Sequence, residues 1–288
     1  KSISLIDADK SGSTKTQEQI TSLPTRNVQN VAATTAGVYQ SDAGASINVR
    51  GSRSNATSYY IDGIKITGSS NVLPQSAIDQ MTVVTGGLPA QYGDATGGIV
   101  SITTRGPSRV TRGGFEFSSS ELTDPYGHNL VGFNLSGPLL HKNDKDKTPI
   151  LGYLITGEYN FKRDNDPSAI GVPVLKDSIL RELQTRPLDF VGTPVYDNPY
   201  ASYSLNSAEQ LTSEDWSIED VKQNLSDEKL QLQGKLDLRI SSDINLTVGG
   251  NFSHNIDMGS TGYDGLWWRK SLLNYDNNRQ YIRDNYNF

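Results

Sequence analysis

Strict alternation of apolar and polar residues in the C-terminal half of the sequence constrains the fold more than any other feature. The clearest segment spans residues 151–161. Its apolar face is predicted to hold Leu151, Tyr153, Ile155, Gly157, Tyr159 and Phe161, and its other face Leu154, Thr156, Glu158 and Asn160. A period of two indicates a β-strand with two unlike faces. Segments of about ten such residues are typical of strands that cross a membrane in a tilted barrel.

The same alternation recurs at residues 115–117, 131–135, 230–240 and 244–252, and residues 275–288 predict the approach to a sixth strand. The segment at 230–240 places Gln231, Gln233, Lys235, Asp237 and Arg239 on the inward face. Residues 241–243 read as a tight turn, whereas the linker at 163–227 is long. If the first strand runs outward, the parity of the linkers makes 163–227 an extracellular loop. Within it, residues 177–184 and 214–224 are predicted to be short helices.

Short apolar runs separated by glycine-rich turns occupy residues 37–105. Asp62-Gly63 between two such runs is a strong hairpin signal, because both central residues of a type I′ turn have positive φ. Glycines recur as Gly86-Gly87, Gly93 and Gly97-Gly98, at positions that we expect only glycine to occupy without strain, and we expect a positive φ at Gly97. These features predict a small mixed sheet with tight turns.

The order of these apolar runs and turns along the sequence indicates a particular fold more specifically than their periodicity does. An Arg-Gly follows an alternating strand, then comes YYIDG, and IDQMTVVTGGLPAQYGDATGGIVSITTR occupies residues 78–105. This order resembles the plug domain of TonB-dependent outer-membrane receptors over residues 15–106. With ITTRGPS and SGPLL downstream, the style is most similar to receptors of Bacteroidota, without the KDASA-type segment of the SusC branch.

The resemblance implies a mixed α+β plug domain at residues 1–106. Antiparallel transmembrane β-barrel strands follow at 107–288, as a partial barrel of a larger plugged barrel. Five strands are too few to close around a plug, because plugged transporters have about 22. We therefore expect the chain to be a piece of a longer polypeptide.

Two arginines and several aromatic residues are candidates for plug contacts. Arg50 and Arg53 are either solvated or a latch that pairs with acidic residues on the inner barrel wall, and the resemblance favours the latch for Arg50. The candidates for ligand or partner contact are Tyr59, Tyr60, Tyr92, Trp267 and Trp268. Ordinary packing is the alternative for the tyrosines, and anchoring at the membrane interface is the alternative for the tryptophans.

Thr16 and Thr25 are predicted to be helix N-caps, and the second helix would place Val28, Val31, Ala32 and Thr35 on one stripe. Upstream, a weak match to a calcium loop is formed by Asp7, Asp9, Ser11 and Glu18. Thr14 stands where such a loop has an apolar residue, and no helix is expected before the loop. We therefore predict a polar turn there and no metal site.

Composition narrows the classes of function. The net charge of −6 gives no electrostatic footprint for nucleic acid, and the absence of cysteine excludes a disulfide framework. The three histidines lack metal-ligand spacing, and no GxSxG or P-loop occurs. We expect no enzyme activity and no cofactor.

Two functions from different classes follow. The resemblance implies a TonB-dependent transporter in the outer membrane of a Gram-negative bacterium, with energy-coupled uptake of a bulky nutrient. Its partners would be outer-membrane lipid, TonB acting through an upstream segment, and a surface lipoprotein. The alternative is a plugged-barrel scaffold subunit of a larger outer-membrane assembly or secretion complex, since one fold can serve unrelated functions.

Overall fold

A computed structural model describes most of the chain. The described residues are 11–66, 73–88, 95, 97–141, 149–164, 166–191, 203–241, 244–259 and 279–287. They form an N-terminal domain and a six-stranded sheet, with a long connection inserted between two strands of that sheet.

The N-terminal domain is built on a mixed five-stranded sheet. Its strands are β1 (Ser11–Thr16), β4 (Thr57–Ile61), β5 (Ile64–Ile66), β6 (Ile78–Gly86) and β7 (Gly98–Thr104), and a separate pair is formed by β2 (Val38–Gln40) and β3 (Ile47–Val49). The strand order is β1-β6-β7-β4-β5, with β4 and β7 parallel and the other neighbours antiparallel. The mixed sheet predicted from the glycine-rich stretch is therefore confirmed.

Two short helices, α1 (Gln17–Thr21) and α2 (Val28–Ala33), cover this sheet. The predicted stripe of α2 is confirmed, because Val28, Val31 and Ala32 are at most 2% exposed and pack into the main hydrophobic cluster. Ile20 of α1 joins the same cluster. The cluster consists only of residues from Ile20 to Ile102, so the domain has its own core among the described residues.

The start of α2 differs from the prediction. Asn27, rather than Thr25, is the N-cap, and its Oδ1 accepts a hydrogen bond of 2.8 Å from the backbone N–H of Gln29. The Thr25 hydroxyl instead accepts from the Asn27 backbone N–H and from the Asn30 side chain. The prediction of Thr16 as the N-cap of α1 is confirmed.

The prediction of a polar turn before α1 is wrong for residues 11–16, which the structure describes. Ser11–Thr16 is a strand that pairs with β6 in antiparallel register. The polar composition does not prevent this pairing, since the hydroxyl groups of Ser13 and Thr14 have polar partners in Thr35 and Thr82. Asp7 and Asp9 of the calcium-loop pattern lie outside the described residues, and Glu18 lies in α1.

The Asp62-Gly63 hairpin is confirmed. Asp62 has a φ of 48° and Gly63 a φ of 86°, as a type I′ turn requires. An aspartate tolerates this left-handed region better than most residues, because its short side chain can hydrogen-bond to nearby backbone.

The second unit is an antiparallel sheet of six strands. They are β8 (Arg112–Ser119), β9 (His128–His141), β10 (Pro149–Lys162), β15 (Asp227–Arg239), β16 (Asn245–Gly259) and β17 (Arg279–Asn287), paired in that order. The predicted faces are observed: Phe115 and Val248 are at least 60% exposed, whereas Thr156, Gln233 and Ser253 on the opposite face are buried. No helix in the described part of the chain is long and apolar enough to span a membrane.

The long connection between β10 and β15 has secondary structure of its own. It contains β11 (Val172–Leu175), α3 (Asp177–Thr185), β12 (Leu188–Val191), β13 (Tyr203–Asn206) and β14 (Trp216–Glu219), with β11 paired to β14 and β12 to β13. The helix predicted at 177–184 is confirmed as α3. The helix predicted at 214–224 is wrong, because Trp216 and Ile218 belong to a strand whose partner, β11, lies more than 40 residues away in sequence.

Gly97 and Gly98 are needed for a reason other than the predicted one. Neither has a positive φ, whereas Gly87 does, at 66°. A Cβ atom on Gly97 would lie 2.7 Å from Ser52 Oγ and 2.9 Å from Ala56 Cβ, and one on Gly98 would lie 2.7 Å from a Val49 methyl. Close approach of residues 49–56, which include the end of β3 and the connection to β4, therefore excludes a side chain at both positions.

We predict that Gly97→Val lowers the free energy of unfolding of the N-terminal domain by about 1–3 kcal/mol, because the added methyl groups overpack this contact. The measurement is the denaturation midpoint, together with the rate of limited proteolysis. Gly234→Val is the matched control, since a Cβ at Gly234 meets no atom within 4 Å. Equal stability of the two variants would contradict the prediction.

Candidate functional site: the seam between the N-terminal domain and the six-stranded sheet

The N-terminal domain packs against the polar face of the six-stranded sheet along a contact that we call the seam. On the sheet side the seam contains Thr156, Glu158, Gln233 and Ser253, all at most 7% exposed. Alternation directs these side chains inward from β10, β15 and β16. The inner face of the sheet is therefore mainly polar, and two of its charged residues, Glu158 and Lys235, pair with the N-terminal domain.

Arg26 bridges two strands of the sheet. It lies between α1 and α2, and its Nη1 donates to Glu158 Oε2 on β10 at 2.8 Å, while its Nη2 pairs with Glu116 Oε1 on β8. Glu158 is 7% exposed, whereas Glu116 is about half exposed. A guanidinium shared between two carboxylates at a partly desolvated site is a strong, directional contact.

Gln75 holds the segment that carries Arg26. Its side chain is 8% exposed, and its Nε2 donates to the backbone carbonyls of Ile20 at 3.1 Å and Thr25 at 3.4 Å. These two carbonyls lie on either side of the turn between α1 and α2. One buried amide thus fixes the turn from which Arg26 reaches the sheet.

A second ionic contact forms at the tip of the Asp62-Gly63 hairpin. Asp62 accepts hydrogen bonds from the backbone N–H of Thr104 at 2.8 Å and from its hydroxyl at 2.5 Å. Lys235 Nζ of β15 lies 3.4 Å from Asp62 Oδ2 and donates to Thr104 Oγ1 at 3.2 Å. Asp62, predicted only as a turn residue, therefore also joins the hairpin to the sheet.

The predicted latch arginines lie elsewhere. Arg50 and Arg53 are exposed, and within the described ranges neither forms an ion pair with a carboxylate of the sheet. The guanidinium of Arg50 lies over Gly86, where an added Cβ would come within 2.8 Å of Nη1. Gly86 therefore makes room for Arg50, and the latch role of both arginines stays a prediction.

Of the aromatic residues predicted to contact a ligand or partner, the structure describes Tyr59 and Tyr60, and they differ in burial. Tyr60 is 6% exposed and packs with Val84 and Ile99, and Tyr59 is half-buried against the main cluster. Packing describes both tyrosines in this structure, and contact with a ligand stays a prediction. Gly93, Tyr92, Trp267 and Trp268 lie outside the described residues.

The long connection is closed at its base by Asp164. This residue is 4% exposed, and its carboxylate accepts hydrogen bonds of 2.9 Å from the backbone N–H groups of Asp166 and Lys222. Lys222 Nζ lies 3.6 Å from the same carboxylate. The two ends of the connection are therefore clasped together, and its fold is anchored to the sheet.

Backbone hydrogen bonds lower the pKa values of two acidic side chains in the connections. The backbone N–H of Tyr126 lowers the pKa of Asp124, and the backbone N–H of Thr212 lowers the pKa of Asp215. Across the described ranges, no three His, Cys, Asp or Glu side chains are grouped so that they could hold a metal ion.

The roles of Arg26 and Gln75 and the partners of Lys235 and Glu158 were not predicted from the sequence. Alternation placed Lys235 inward and Glu158 on the polar face, and a charged residue on the buried side of such a strand indicates a partner. No comparable pattern marks Arg26, which lies in a short turn and is 132 residues away from Glu158.

We predict that Arg26→Ala weakens attachment of the N-terminal domain to the sheet by about 1–3 kcal/mol, because Glu158 would remain buried without its partner. The measurement is the denaturation midpoint combined with protease cleavage of the N-terminal domain.

Arg163→Ala is the control for this variant. Arg163 pairs with Glu121 at 3.8 Å, both side chains are close to half exposed, and the expected change is about 0–1 kcal/mol. If Arg26→Ala behaved like Arg163→Ala, the seam would not depend on this ion pair.

Comparison with known proteins agrees with this arrangement. Residues 4–99 match the TonB-dependent Receptor Plug Domain. The probable TonB-dependent siderophore receptor PirA of Acinetobacter baumannii is 38% identical over 116 residues, which cover 39% of this chain and 14% of that protein. The TonB-dependent transporter Oar of Myxococcus xanthus is 27% identical over 161 residues, which cover 54% of this chain and 13% of Oar.

Solved structures show the same fold. The ferric enterobactin receptor PfeA of Pseudomonas aeruginosa superimposes with a TM-score of 0.58 at 16% identity, covering 96% of this chain and 38% of PfeA. The siderophore receptor PirA of Pseudomonas aeruginosa gives a TM-score of 0.52 at 20% identity, covering 86% of this chain and 34% of that receptor. These relatives are receptors and transporters, not enzymes. Residues 4–99 thus match a plug domain, and the six-stranded sheet has the fold of part of the barrel wall around such a plug, so we refer to the two units below as the plug and the wall. The chain spans less than half the length of each of these relatives.

Proposed function

We propose that this chain is part of a TonB-dependent transporter that takes up a bulky nutrient across the outer membrane. The proposal rests on one observation: apolar contacts lie within the plug, whereas the contacts between plug and wall are polar. Both hydrophobic clusters found among the described residues lie inside the plug, between Ile20 and Ile102. Polar groups hold the plug to the wall. The plug can therefore shift along the wall without exposing its core to water.

In this function the outward face of the sheet contacts outer-membrane lipid, and TonB acts through a segment upstream of Ser11. The apolar side chains on the outward face, such as Phe115, Leu236 and Val248, suit that environment. The parity of the linkers then places the long connection outside the cell, where it would meet the nutrient or a surface lipoprotein.

A ferric siderophore is the first substrate class to test. The names of two relatives, PirA and PfeA, refer to siderophores. This chain covers only 14% of PirA and 38% of PfeA, so the nutrient is our proposal. The Bacteroidota style of the sequence motifs is likewise a proposal about its source.

The decisive experiment measures binding and uptake of ferric siderophores in matched strains with and without TonB. We expect surface binding to persist and uptake to be lost when TonB is deleted. Uptake that continues without TonB would overturn the proposal.

A scaffold role is the second candidate, and the folded long connection favours it. Two strand pairs, a helix and the Asp164 clasp give this segment a defined surface for a partner. Purification of the tagged full-length protein in mild detergent separates the two functions. Stoichiometric recovery of another large barrel with accessory proteins would favour the scaffold, and recovery of TonB components would favour the transporter.

We predict that tethering the plug at Lys235 blocks uptake. In the cysteine-free chain, Asp62→Cys with Lys235→Cys would be joined by a short bismaleimide, because the native charged groups are 3.4 Å apart across the seam. Uptake should fall to the level of the TonB-deleted strain while surface binding persists.

The controls are the two single-cysteine variants treated with the same reagent. Unchanged uptake in the cross-linked double variant would show that the plug need not leave this contact.

A further inference from the structure

The outward face of the wall carries ionisable side chains between β15 and β17. Two neighbouring outward rows follow from the pairing of β10, β15, β16 and β17. The first row consists of Tyr159, Leu230, His254 and Asp284, and the second of Phe161, Glu228, Ile256 and Ile282. Two carboxylates and an imidazole therefore lie among apolar neighbours, on the face that also presents Leu236 and Val248.

Each of the two carboxylates is engaged by one neighbouring side chain. His254 Nδ1 lies 2.6 Å from Asp284 Oδ1, and the Tyr159 hydroxyl donates to Glu228 Oε2 at 3.1 Å. Among the described residues, neither carboxylate forms an ion pair with a lysine or an arginine. Acidic groups on the lipid face of a barrel are unfavourable to an extent that depends on depth, and a cation beside them offsets that cost. The charge of these rows therefore suits a positively charged occupant.

An aromatic pair forms the next outward row toward the middle of the wall. The rings of Phe252 and Tyr286 have centroids 5.0 Å apart, and the Phe252 ring is stacked 6.5 Å from that of His254. Tyr286 is 59% exposed. Exposed aromatic rings are typical of the boundary between head groups and hydrocarbon on a barrel. The pair therefore marks the depth at which a bound lipid changes from head to chain.

A glycine pair follows one row further along the strands. Gly234 of β15 is opposite Gly250 of β16, and a Cβ on Gly234 would meet no atom within 4 Å. Gly157 on β10 is different, because the side chains of Phe133 and Leu232 occupy the space that its Cβ would take. The wall thus covers Gly157 itself but leaves an open apolar notch at Gly234.

The order of these features matches the order of groups in one lipid molecule. Four residues of β16 separate His254, beside Asp284, from Gly250, beside Gly234. At about 3.3 Å per residue this distance is about 13 Å, which the head and the upper part of an acyl chain can span.

A second copy of this chain is a poorer match for the same surface. In a two-fold contact through these strands, the carboxylates of one copy would approach those of the other. Like charges facing each other across an interface are unfavourable.

We propose that the outward surface of β15, β16 and β17 is a binding site for one lipid whose head carries a primary amine. The ammonium group donates to Asp284, and Glu228 adds to the negative potential beside it. One acyl chain passes the Phe252–Tyr286 pair and lies in the notch at Gly234. This site rests on the proposed function only in requiring that the wall lie in a membrane, and it does not require transport.

The test is native mass spectrometry of the full-length protein, delipidated in detergent and titrated with lipids that differ only in the head. Phosphatidylethanolamine, phosphatidylcholine and phosphatidylglycerol with identical chains are the probes. We expect one phosphatidylethanolamine to bind about tenfold more tightly than either of the others, because its head alone combines a positive charge with N–H donors. Equal binding of the three lipids would overturn the proposal.

Two sets of variants separate the head from the chain. Asp284→Asn with Glu228→Gln should abolish the preference for the amine, whereas Asp257→Asn, on the opposite face of β16, should retain it. Gly234→Leu fills the notch, so it should weaken binding of all three lipids by a similar factor and leave the preference unchanged. Electrophoresis of unheated samples checks that each variant barrel is folded.

Each alternative has its own outcome. A preference that persists without the two carboxylates would overturn the assignment of the head, and full binding in Gly234→Leu would overturn the assignment of the chain. A dimer that replaces the lipid adduct and is dispersed by Gly234→Leu would assign this face to a second copy instead.

These measurements need neither TonB nor a nutrient, so the lipid site and the transport function can fail separately. Selective binding of phosphatidylethanolamine together with TonB-independent uptake would leave the lipid site standing and reject the transporter. TonB-dependent uptake together with equal binding of the three lipids would do the reverse.

Discussion

The polar seam between plug and wall is the constraint on which the rest of the structure depends. The period of two that gives the wall an apolar outer face also gives it a mainly polar inner face, on which the buried Leu154 is an exception, so the plug shares little hydrophobic core with the wall. It must fold on its own core and meet the wall through groups such as Arg26 and Lys235. Because Glu158 is buried in that contact, its ion pair is more costly to break than an exposed one. A few contacts of this kind are enough to seat a domain that is already folded.

Much of the fold could be predicted from local pattern, because the pattern reports a physical requirement at each residue. Alternation identified the wall strands and their faces, and the Asp62-Gly63 pair identified a hairpin, since few residues accept positive φ. The seam was harder to predict. Alternation shows that Glu158 faces inward, but the choice of Arg26 as its partner depends on how the plug docks, over a separation of 132 residues.

The wrong predictions share a cause, which is competition from a contact distant in sequence or from a neighbouring side chain. Thr25 has the chemistry of an N-cap, yet its hydroxyl is engaged by Asn30, and Asn27 caps the helix instead. Residues 214–224 have a helical composition, but Trp216 and Ile218 gain a strand partner in β11. Gly97 was assigned a positive φ, whereas the approach of Ala56 is what excludes a side chain. In each case the local preference is of the order of 1 kcal/mol, which one tertiary contact can outweigh.

The distribution of apolar burial also orders the events that a load on the plug would cause. β1 has no buried side chain and is held by backbone pairs and hydroxyls that water can replace. The seam is next, because breaking it separates charged groups that must then be solvated individually. The core around Ile20 and Val83 is last, since its exposure costs free energy in proportion to the apolar area that meets water. The free energy needed to separate each part therefore increases from β1 to the seam and then to the core, because water can replace polar contacts but not apolar burial.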